Sequence, residues 1–254
     1  MMSGIPVVHA VDDPQLDKDL ITSACESIVA RGVERAVARW RERLANLVWN
    51  DAALEGNTFT LPEVATLLDG GAVRSHSAMD AEQVLDLSAA ANEVLERSLS
   101  GVTEVSIELS NELNALITAH EVMEPGIIRG DGTVGGEAAV NAMGTKFIAP
   151  ASDGNLLRRL FEQDRQECEM FDHPVAQGAV WAAFAAYHQF YSNGNKRTAR
   201  YVMNAVLMSQ GFDAISTPVS QRDRYNVTLR DMYLSGDLTG YALFLVSLYD
   251  DSHA

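Results

Sequence analysis

The sequence predicts a single all-α domain of about eight helices with one small β-hairpin. Apolar residues make up 47% and charged residues 21% of the 254 positions, a balance typical of a globular chain with a substantial core. Most apolar residues recur every three or four positions, as in amphipathic helices. Since no Pro/Ser-rich linker divides the chain, we expect an N-terminal extension over residues 1–18 and one domain over residues 19–254.

The first half of the chain is predicted to be mainly helical. An apolar stripe with steps of three and four predicts a long helix over residues 19–54, with a break near Gly32 and an end at Gly56. A capping-box pattern over residues 60–63 opens a short helix that ends by residue 71. Two further helices are predicted over residues 80–99 and 107–123.

A glycine- and proline-rich stretch over residues 124–151 interrupts the helical pattern. Within it, residues 127–134 predict a β-hairpin that turns at Asp131-Gly132. The helical pattern then resumes, and the remaining predicted helices cover residues 154–168, 174–188, 196–209, a segment that starts near residue 220, and residues 241–249.

The net charge and the cysteine content limit which binding partners and which cellular compartment we expect. Asp and Glu number 35 against 19 Lys and Arg, so the formal net charge is −16, which disfavours nucleic acid and anionic membranes as general partners. A local basic pocket remains compatible with this balance. No apolar run is long enough to span a bilayer, and the N-terminus lacks the pattern of a signal peptide. Because Cys25 and Cys168 are the only cysteines, we expect a reducing, cytoplasmic location.

One segment, residues 187–200, combines the features of an anion-binding loop. A predicted apolar helix ends at His188, a short polar turn follows, and a new helix begins with Lys196, Arg197 and Arg200. Gly194 would let the backbone turn tightly and approach a ligand. Free N–H groups at the new helix start, its dipole and three cations would together attract phosphate. From the residues alone, two other interpretations remain open: His188 could be a structural residue, and the basic residues could form a solvated face.

The same loop resembles the signature of the Fic (filamentation induced by cAMP) family, H-P-F-x-(D/E)-G-N-(G/K)-R-x-x-R. The run from Gly194 to Arg200 matches it residue for residue. Other segments resemble further family features: the inhibitory helix motif at residues 54–63, the flap hairpin at residues 126–129 with Gly135-Gly136, and the segment after the flap at residues 147–150. The resemblance covers roughly residues 30–250 and implies an inhibitory helix over about residues 33–57 and a core over about residues 105–250.

The resemblance implies an ATP-dependent, Mg²⁺-assisted protein adenylyltransferase that moves AMP to a Ser, Thr or Tyr hydroxyl of a target protein. His188 would be the general base, a role that suits histidine near neutral pH. Phe190 would anchor the loop in the core. Backbone N–H groups at Gly194, Asn195 and Lys196 would hold the α- and β-phosphates. Arg197 would also bind the phosphates, and Arg200 would hold the γ-phosphate.

Departures from the family pattern keep other functions open. The spacing from His188 to Arg200 is one residue longer than the pattern, and Asn193 stands where the acidic Mg²⁺ ligand is usual. An amide is a weaker ligand for Mg²⁺ than a carboxylate, so Asn193 is only a weak metal candidate. The alternatives are a degenerate module that binds nucleotide or a partner without turnover, an enzyme that transfers UMP or phosphocholine, and one that removes AMP.

Two further roles follow from the resemblance. Glu55 would pair with Arg200 and exclude the γ-phosphate, which makes it the expected inhibitory residue; an ordinary surface glutamate is the alternative. Asp51 stands where the inhibitory motif has Ser or Thr. Ile127 and Ile128 would dock a target segment by strand addition, unless they are buried under the hairpin. Self-modification and a homodimer are compatible with this reading.

Overall fold

The computed structural model describes residues 5–73, 76–101, 104–133, 137–150 and 153–251. Within these ranges the chain is mainly helical, which confirms the predicted class, with one small sheet. The α-helices are α1 (Lys18–Cys25), α2 (Val33–Glu42), α3 (Leu44–Leu54), α4 (Leu61–Leu68), α5 (Ala78–Ser100), α6 (Ile107–Ile117), α7 (Gly154–Glu169), α8 (Pro174–His188), α9 (Asn195–Ser209), α10 (Arg222–Ser235) and α11 (Thr239–Asp251), with a 3₁₀ turn at Val219–Gln221.

The long N-terminal helix predicted over residues 19–54 is divided into α1, α2 and α3. Gly32 precedes α2 with φ at 105°, a conformation that residues with a Cβ rarely adopt, so the break expected there is present. A second break at Arg43, where the backbone leaves helical geometry, separates α2 from α3. The predicted capping box is also present, because Thr60 and Glu63 cap α4 reciprocally.

Helix α8 lies at the centre of the core and packs against α7, α9 and α11. Nearly all of its residues are buried, as expected for a helix that is apolar on every face. Helix α9 is also largely buried and packs against α5 and α6. The C-terminus of α8, the N-terminus of α9 and the loop between them therefore lie against the core, where neighbouring helices fix their positions.

The predicted hairpin over residues 127–134 is wrong in position. Residues 127–133 form turns with one isolated bridge, between Ile128 and Tyr191. Side-chain hydrogen bonds replace the strand pairing here. Glu124 accepts from the backbone N–H of Thr133 at 2.7 Å and from its hydroxyl at 2.6 Å. Val134 and Gly135-Gly136, which were assigned to the flap, lie outside the described residues.

The hairpin that the structure does contain follows directly along the chain. Strands β2 (Ala139–Ala142) and β3 (Thr145–Ile148) pair antiparallel, with Val140 opposite Phe147. Strand β1 (Val7–His9) adds to the other edge of β3 in parallel. The N-terminal extension therefore contributes strand β1 to the domain's sheet.

Two other findings concern the limits of the helices. The helix predicted over residues 107–123 ends earlier, because α6 stops at Ile117 and Thr118 leaves helical geometry. The turn that follows carries Glu121 toward the loop between α8 and α9. Among the helices of the described residues, none combines the length and apolar character needed to cross a membrane.

Candidate functional site

Asn195, the first residue of α9, fastens the loop that precedes it. Its Oδ1 accepts the backbone N–H of Tyr191 at 2.7 Å, and its Nδ2 donates to the Tyr191 carbonyl at 2.7 Å and to Gln189 Oε1 at 3.0 Å. All three residues are buried. A buried side chain that bonds both backbone groups of a loop residue holds that loop in one conformation.

Asn114 of α6 attaches the loop from the opposite side. Its Nδ2 donates to the Asn193 carbonyl and to Thr198 Oγ1, each at 3.0 Å, and its Oδ1 accepts the Gly126 N–H at 3.0 Å. This buried amide therefore joins the loop, helix α9 and the segment that follows α6. No sequence pattern predicts this role of Asn114, since a single asparagine within a helix is common.

Gly194 caps α9 with φ at 73°, and a Cβ at this position would lie 2.5 Å from Thr118 Cγ2. Glycine is therefore required both by the backbone conformation and by the close approach of α6. No side chain at this N-cap bonds to the helix. The first N–H groups of α9 consequently have no acceptor within the helix and lie at the positive end of its dipole, which is the arrangement expected for an anion site.

The three basic residues of the predicted anion site are each paired with a carboxylate from another element. The pairs are Lys196 with Glu55 at 3.5 Å, Arg197 with Glu121 at 2.6 Å, and Arg200 with Asp51. Phosphate groups of a ligand would have to compete with these carboxylates for the same cations. The basic cluster is thus present, but the solvated face considered from sequence is not, since both arginines are buried.

Arg200 pairs with Asp51 and not with Glu55, which corrects the expected ion pair. Its Nε donates to Asp51 Oδ1 at 2.9 Å, Nη2 contacts the same oxygen, and Nη1 donates to the Tyr225 hydroxyl at 2.9 Å. Burial disfavours the guanidinium charge, but the Asp51 carboxylate outweighs this and raises the pKa of Arg200 well above its usual value. Asp51 reaches Arg200 because it lies one helical turn before Glu55 on α3.

Glu55 lies at the C-cap of α3, close to the start of α9. Burial opposes its ionisation, but the positive charges of Lys196, Arg197 and Arg200 outweigh burial and lower the pKa of Glu55 below its usual value. The residue is therefore a carboxylate at neutral pH, directed at the basic cluster. Among the described residues, Glu55 forms an ion pair with Lys196, whose Nζ lies 3.5 Å from its Oε1.

Arg197 makes a two-pronged contact with Glu121. Its Nη1 and Nη2 donate to the two carboxylate oxygens, each at 2.6 Å, and the Arg197 side chain is 2% exposed. Gln83 Nε2 and Asn193 Nδ2 also donate to Glu121, each at 2.9 Å. Four donors on one carboxylate make a strong, charge-assisted cluster at the mouth of the loop.

Asn193, the weak metal candidate, has both ends of its side-chain amide engaged. Its Oδ1 accepts the N–H of Gly194 at 2.7 Å, while Nδ2 faces Glu121. The nearest carboxylate is thus occupied by Arg197, and the oxygen of Asn193 is directed at its own backbone. Within the ranges that the structure describes, no group of three or more His, Cys, Asp or Glu is arranged to hold a metal ion. These donors do not fit Mg²⁺, which prefers free carboxylates and water.

His188, the residue assigned as base, is 2% exposed at the C-terminus of α8. Its Nδ1 lies 2.6 Å from Oδ2 of Asp164 on α7, and its ring stacks on Phe184. Burial raises the pKa of Asp164, although the neighbouring His188 opposes that rise. The ring also lines a cavity formed by the residues that follow β1, the end of β3 and α7. Its bonded partner therefore belongs to α7 and not to the loop before α9.

Arg129 connects the predicted flap segment to the end of α8. Its Nη2 donates to the carbonyls of His188 and Pro150, each at 3.0 Å, and its Nε contacts the carbonyl of Gln189. Burial lowers the pKa of Arg129 to about 10, so it remains a cation at neutral pH. The buried guanidinium of Arg129 thus donates to carbonyl oxygens at the end of α8 and at Pro150, which fixes the start of the loop.

The two flap candidates differ in exposure. Ile128 is 1% exposed and bridges Tyr191 of the loop, whereas Ile127 is 44% exposed. The burial alternative is therefore correct for Ile128. Only Ile127 is available for contact with a target segment.

No family model matches the chain, but curated proteins resemble it over most of its length. It is 26% identical over 248 residues to "Protein adenylyltransferase Fic" of Drosophila ananassae, covering 94% of this chain and 47% of the relative. A second curated relative, of the same name in Drosophila persimilis, is 27% identical over 253 residues, covering 94% of this chain and 46% of the relative. The chain thus spans about half the length of the curated relatives it matches.

Solved structures share the fold. Fic-1 from C. elegans superposes with a TM-score of 0.69 at 21% identity, covering 92% of this chain and 68% of that one. A Fic domain containing signaling protein from Bacteroides thetaiotaomicron gives a TM-score of 0.67 at 16% identity, covering 92% and 89%. Sequence relatives and fold therefore agree with the loop signature, and the chain is similar to Fic proteins in both sequence and fold.

Proposed function

We propose that this chain is a protein adenylyltransferase, which binds ATP at the start of α9 and transfers AMP to a hydroxyl side chain of a target protein. The observation that carries the proposal is the N-terminus of α9, where uncapped N–H groups lie beside Lys196, Arg197 and Arg200. The names of the curated relatives support the same reaction and a protein as the substrate. A nucleotide triphosphate suits a site with both a helix N-terminus and several cations.

The transfer is an in-line displacement at the α-phosphorus. The hydroxyl oxygen of the target forms a bond to phosphorus, and the bond from phosphorus to the bridging oxygen breaks. Pyrophosphate leaves with the electron pair of that bond, and the hydroxyl proton passes to water. The N–H groups of Asn195 and Lys196 would stabilise the charge on the α-phosphate oxygens. Arg197 and Arg200 would bind the remaining phosphates once their carboxylates are displaced. Ile127 would provide the docking contact for the target segment.

We further propose that Glu55 inhibits the enzyme. Its carboxylate is charged at neutral pH and competes with phosphate for Lys196, and its field also acts on Arg197 and Arg200. An intramolecular competitor acts at a high effective concentration, so ATP binds weakly until Glu55 moves. Self-modification is the most accessible readout of release, because it needs no knowledge of the target.

A second candidate function is nucleotide binding without turnover. It is favoured by a specific observation: His188, the assigned base, is bonded to Asp164 of α7 and is almost fully buried. A reaction that removes AMP, or transfers another group, would use the same loop. A cytoplasmic location is proposed as well, because a chain of 254 residues with only two cysteines has no disulfide framework and suits a reducing compartment.

The experiment that tests the proposal is incubation of the protein with cell lysate and either α-labelled or γ-labelled ATP. AMP transfer predicts label in protein from the α-position alone, and an AMP increment in the intact mass of the labelled target. Stabilisation by ATP without label transfer from either position would support binding without turnover. Label from the γ-position that appears only when the protein is added to the lysate would contradict AMP transfer.

A further inference from the structure

We infer that Gln189, and not His188, is the side chain that borders the ligand at the start of the loop, so that AMP transfer at this site proceeds without a titratable base from the loop. The inference rests on the proposed function and specifies how that site works. It also accounts for the one-residue departure from the family pattern.

The spacing of the signature is the first line of argument. The pattern that ends in R-x-x-R is twelve positions long, and twelve positions counted back from Arg200 begin at Gln189. In this register no residue is inserted in the loop, and Tyr191 occupies the aromatic position that Phe190 was expected to fill. His188 then precedes the signature and is the last residue of α8.

The hydrogen bonds of the loop agree with this register. Asn195 bonds both backbone groups of Tyr191 and also donates to Gln189 Oε1 at 3.0 Å. The Gln189 side chain therefore reaches the first residue of α9, whose N–H groups form the anion site. Its Nε2 donates to the carbonyl of Ala186 at 2.5 Å and contacts the hydroxyl of Tyr233 at 3.3 Å, which fixes the orientation of the amide.

The backbone at Gln189 is also unusual. Its φ is 53°, in the left-handed region that non-glycine residues seldom occupy. This conformation turns the chain out of α8 and into the loop. The side chains of His188 and Gln189 therefore point in different directions. Strained backbone of this kind persists where the surroundings hold it, and it is frequent at functional sites.

His188 has the opposite surroundings. Its Nδ1 lies 2.6 Å from Oδ2 of Asp164, its ring stacks on Phe184, and the residue lines a cavity with residues of α7 and those that follow β1. Among the described residues, His188 bonds to Asp164 of α7 and accepts from Arg129, and it makes no side-chain hydrogen bond to residues 192–200. A structural role for the His188–Asp164 pair explains these contacts without any ligand.

The chemical consequence follows from the amide. Glutamine does not accept a proton near neutral pH, and the loss of a general base typically slows a reaction by about 10²–10⁴-fold. Phosphate binding depends on the N–H groups and cations, so it is not affected. We therefore expect a protein that binds ATP and transfers AMP slowly. Only the removal of the hydroxyl proton should be impaired.

The test is Gln189→His, compared with Gln189→Asn as a neutral control, both in the wild type and in a Glu55→Gly background that relieves inhibition. The histidine variant should raise AMP self-modification at least about tenfold, whereas the asparagine variant should not. The gain should fall as the pH is lowered through about 6.5, the ordinary pKa of histidine. A purely structural role for position 189 would produce neither the gain nor this pH profile.

Two outcomes would overturn the inference. One is a Gln189→His protein that is folded, shows the same ATP-induced shift in melting temperature as the wild type, and modifies itself no faster. The other is loss of wild-type transfer in His188→Gln at unchanged ATP binding, because the proton acceptor would then be His188. Absence of any ATP-induced shift in all of these proteins would refute the proposed function itself, and this inference with it.

Discussion

Asp51 and Arg200 form a buried ion pair that joins α3 to α9. Arg200 is 1% exposed, donates to Asp51 and Tyr225, and places its guanidinium carbon 5.7 Å from the Tyr225 ring centroid. Glu55, one turn further along α3, is left to pair with Lys196. Helix α3 and its C-cap therefore direct two carboxylates at the site. Asp51 holds Arg200, and Glu55 faces the start of α9, where phosphate is proposed to bind.

Glu55→Gly should increase AMP transfer, measured as the fraction of protein that gains an AMP increment in intact mass. The variant frees Lys196 and removes a negative charge that also acts on Arg197 and Arg200. The matched control is Glu42→Gly, at the exposed C-terminus of α2. Equal modification of the Glu55 variant, the control and the wild type would show that Glu55 is an ordinary structural residue.

Glu55 should also make stability depend on pH. Its pKa lies below 4.5 in the folded protein, so the ionised form stabilises the fold above about pH 4.5, and this contribution is lost as the pH falls through the lower, folded value. Glu55→Gln should flatten the pH dependence of the melting temperature in this acidic window and leave the shape near pH 7 unchanged. A variant whose melting temperature follows the wild-type curve in acid would contradict the charge assignment.

Asp51→Ala should destabilise the fold strongly, because it leaves the buried guanidinium of Arg200 without its carboxylate. Removing one partner of a buried ion pair typically costs about 3–5 kcal/mol. Urea unfolding measures this loss directly. Tyr225→Phe removes a neutral contact of the same guanidinium, so it should cost only about 0.5–1.5 kcal/mol. If the two variants lost equal stability, the ion pair would not be the dominant contact of Arg200.

The helices and the anion loop could be predicted from sequence because their signals are local. A continuous apolar run that begins at Pro174 indicates α8, and the Gly194–Arg200 run places the cations at the start of α9. The partners of those cations could not be predicted. Glu121 follows α6 and Asp51 lies within α3, so each meets the loop only through packing of distant helices. An acidic residue in a strongly acidic chain carries no signal of this kind.

The hairpin and the base illustrate a different limit. A turn signal at Asp131-Gly132 was correct about a turn, but Glu124 closes that segment with side-chain bonds, and the strands form further along the chain. For the base, the only histidine near the signature was an obvious choice. The contact of Gln189 with Asn195 becomes visible only when both ends of the loop are placed in space.

Asn193→Asp should make stability depend on divalent cations. The aspartate would replace an amide that donates to Glu121 at 2.9 Å, and so bring two carboxylates together. Without metal, repulsion between the two carboxylates should lower the melting temperature relative to the wild type. Millimolar Mg²⁺ should restore it, because the positive charge of the cation offsets the two negative charges. Asn193→Ala is the control, since it removes the same hydrogen bond without adding charge. A melting temperature that is equally insensitive to Mg²⁺ in all three proteins would exclude a metal site at this position.

Glu121→Gln should weaken the fold and strengthen the binding of phosphate-type anions. Arg197 is 2% exposed and held by both oxygens of Glu121, so loss of that charge leaves a buried cation only partly compensated. Pyrophosphate can supply the missing negative charge. By linkage, tighter binding to the folded state raises the melting temperature more, so the pyrophosphate-induced shift should be larger in the variant than in the wild type.

Glu112→Gln is the matched control for this prediction. Both oxygens of Glu112 accept hydrogen bonds from Nη2 of Arg97, at 2.7 and 2.5 Å, but the Glu112 and Arg97 side chains are 42% and 38% exposed. Water screens such a pair, and its loss should cost only about 0.2–1 kcal/mol. The control should leave the pyrophosphate shift unchanged, because Arg97 lies outside the site. Equal pyrophosphate shifts in both variants and the wild type would mean that Glu121 does not compete with phosphate and that Arg197 is a structural residue.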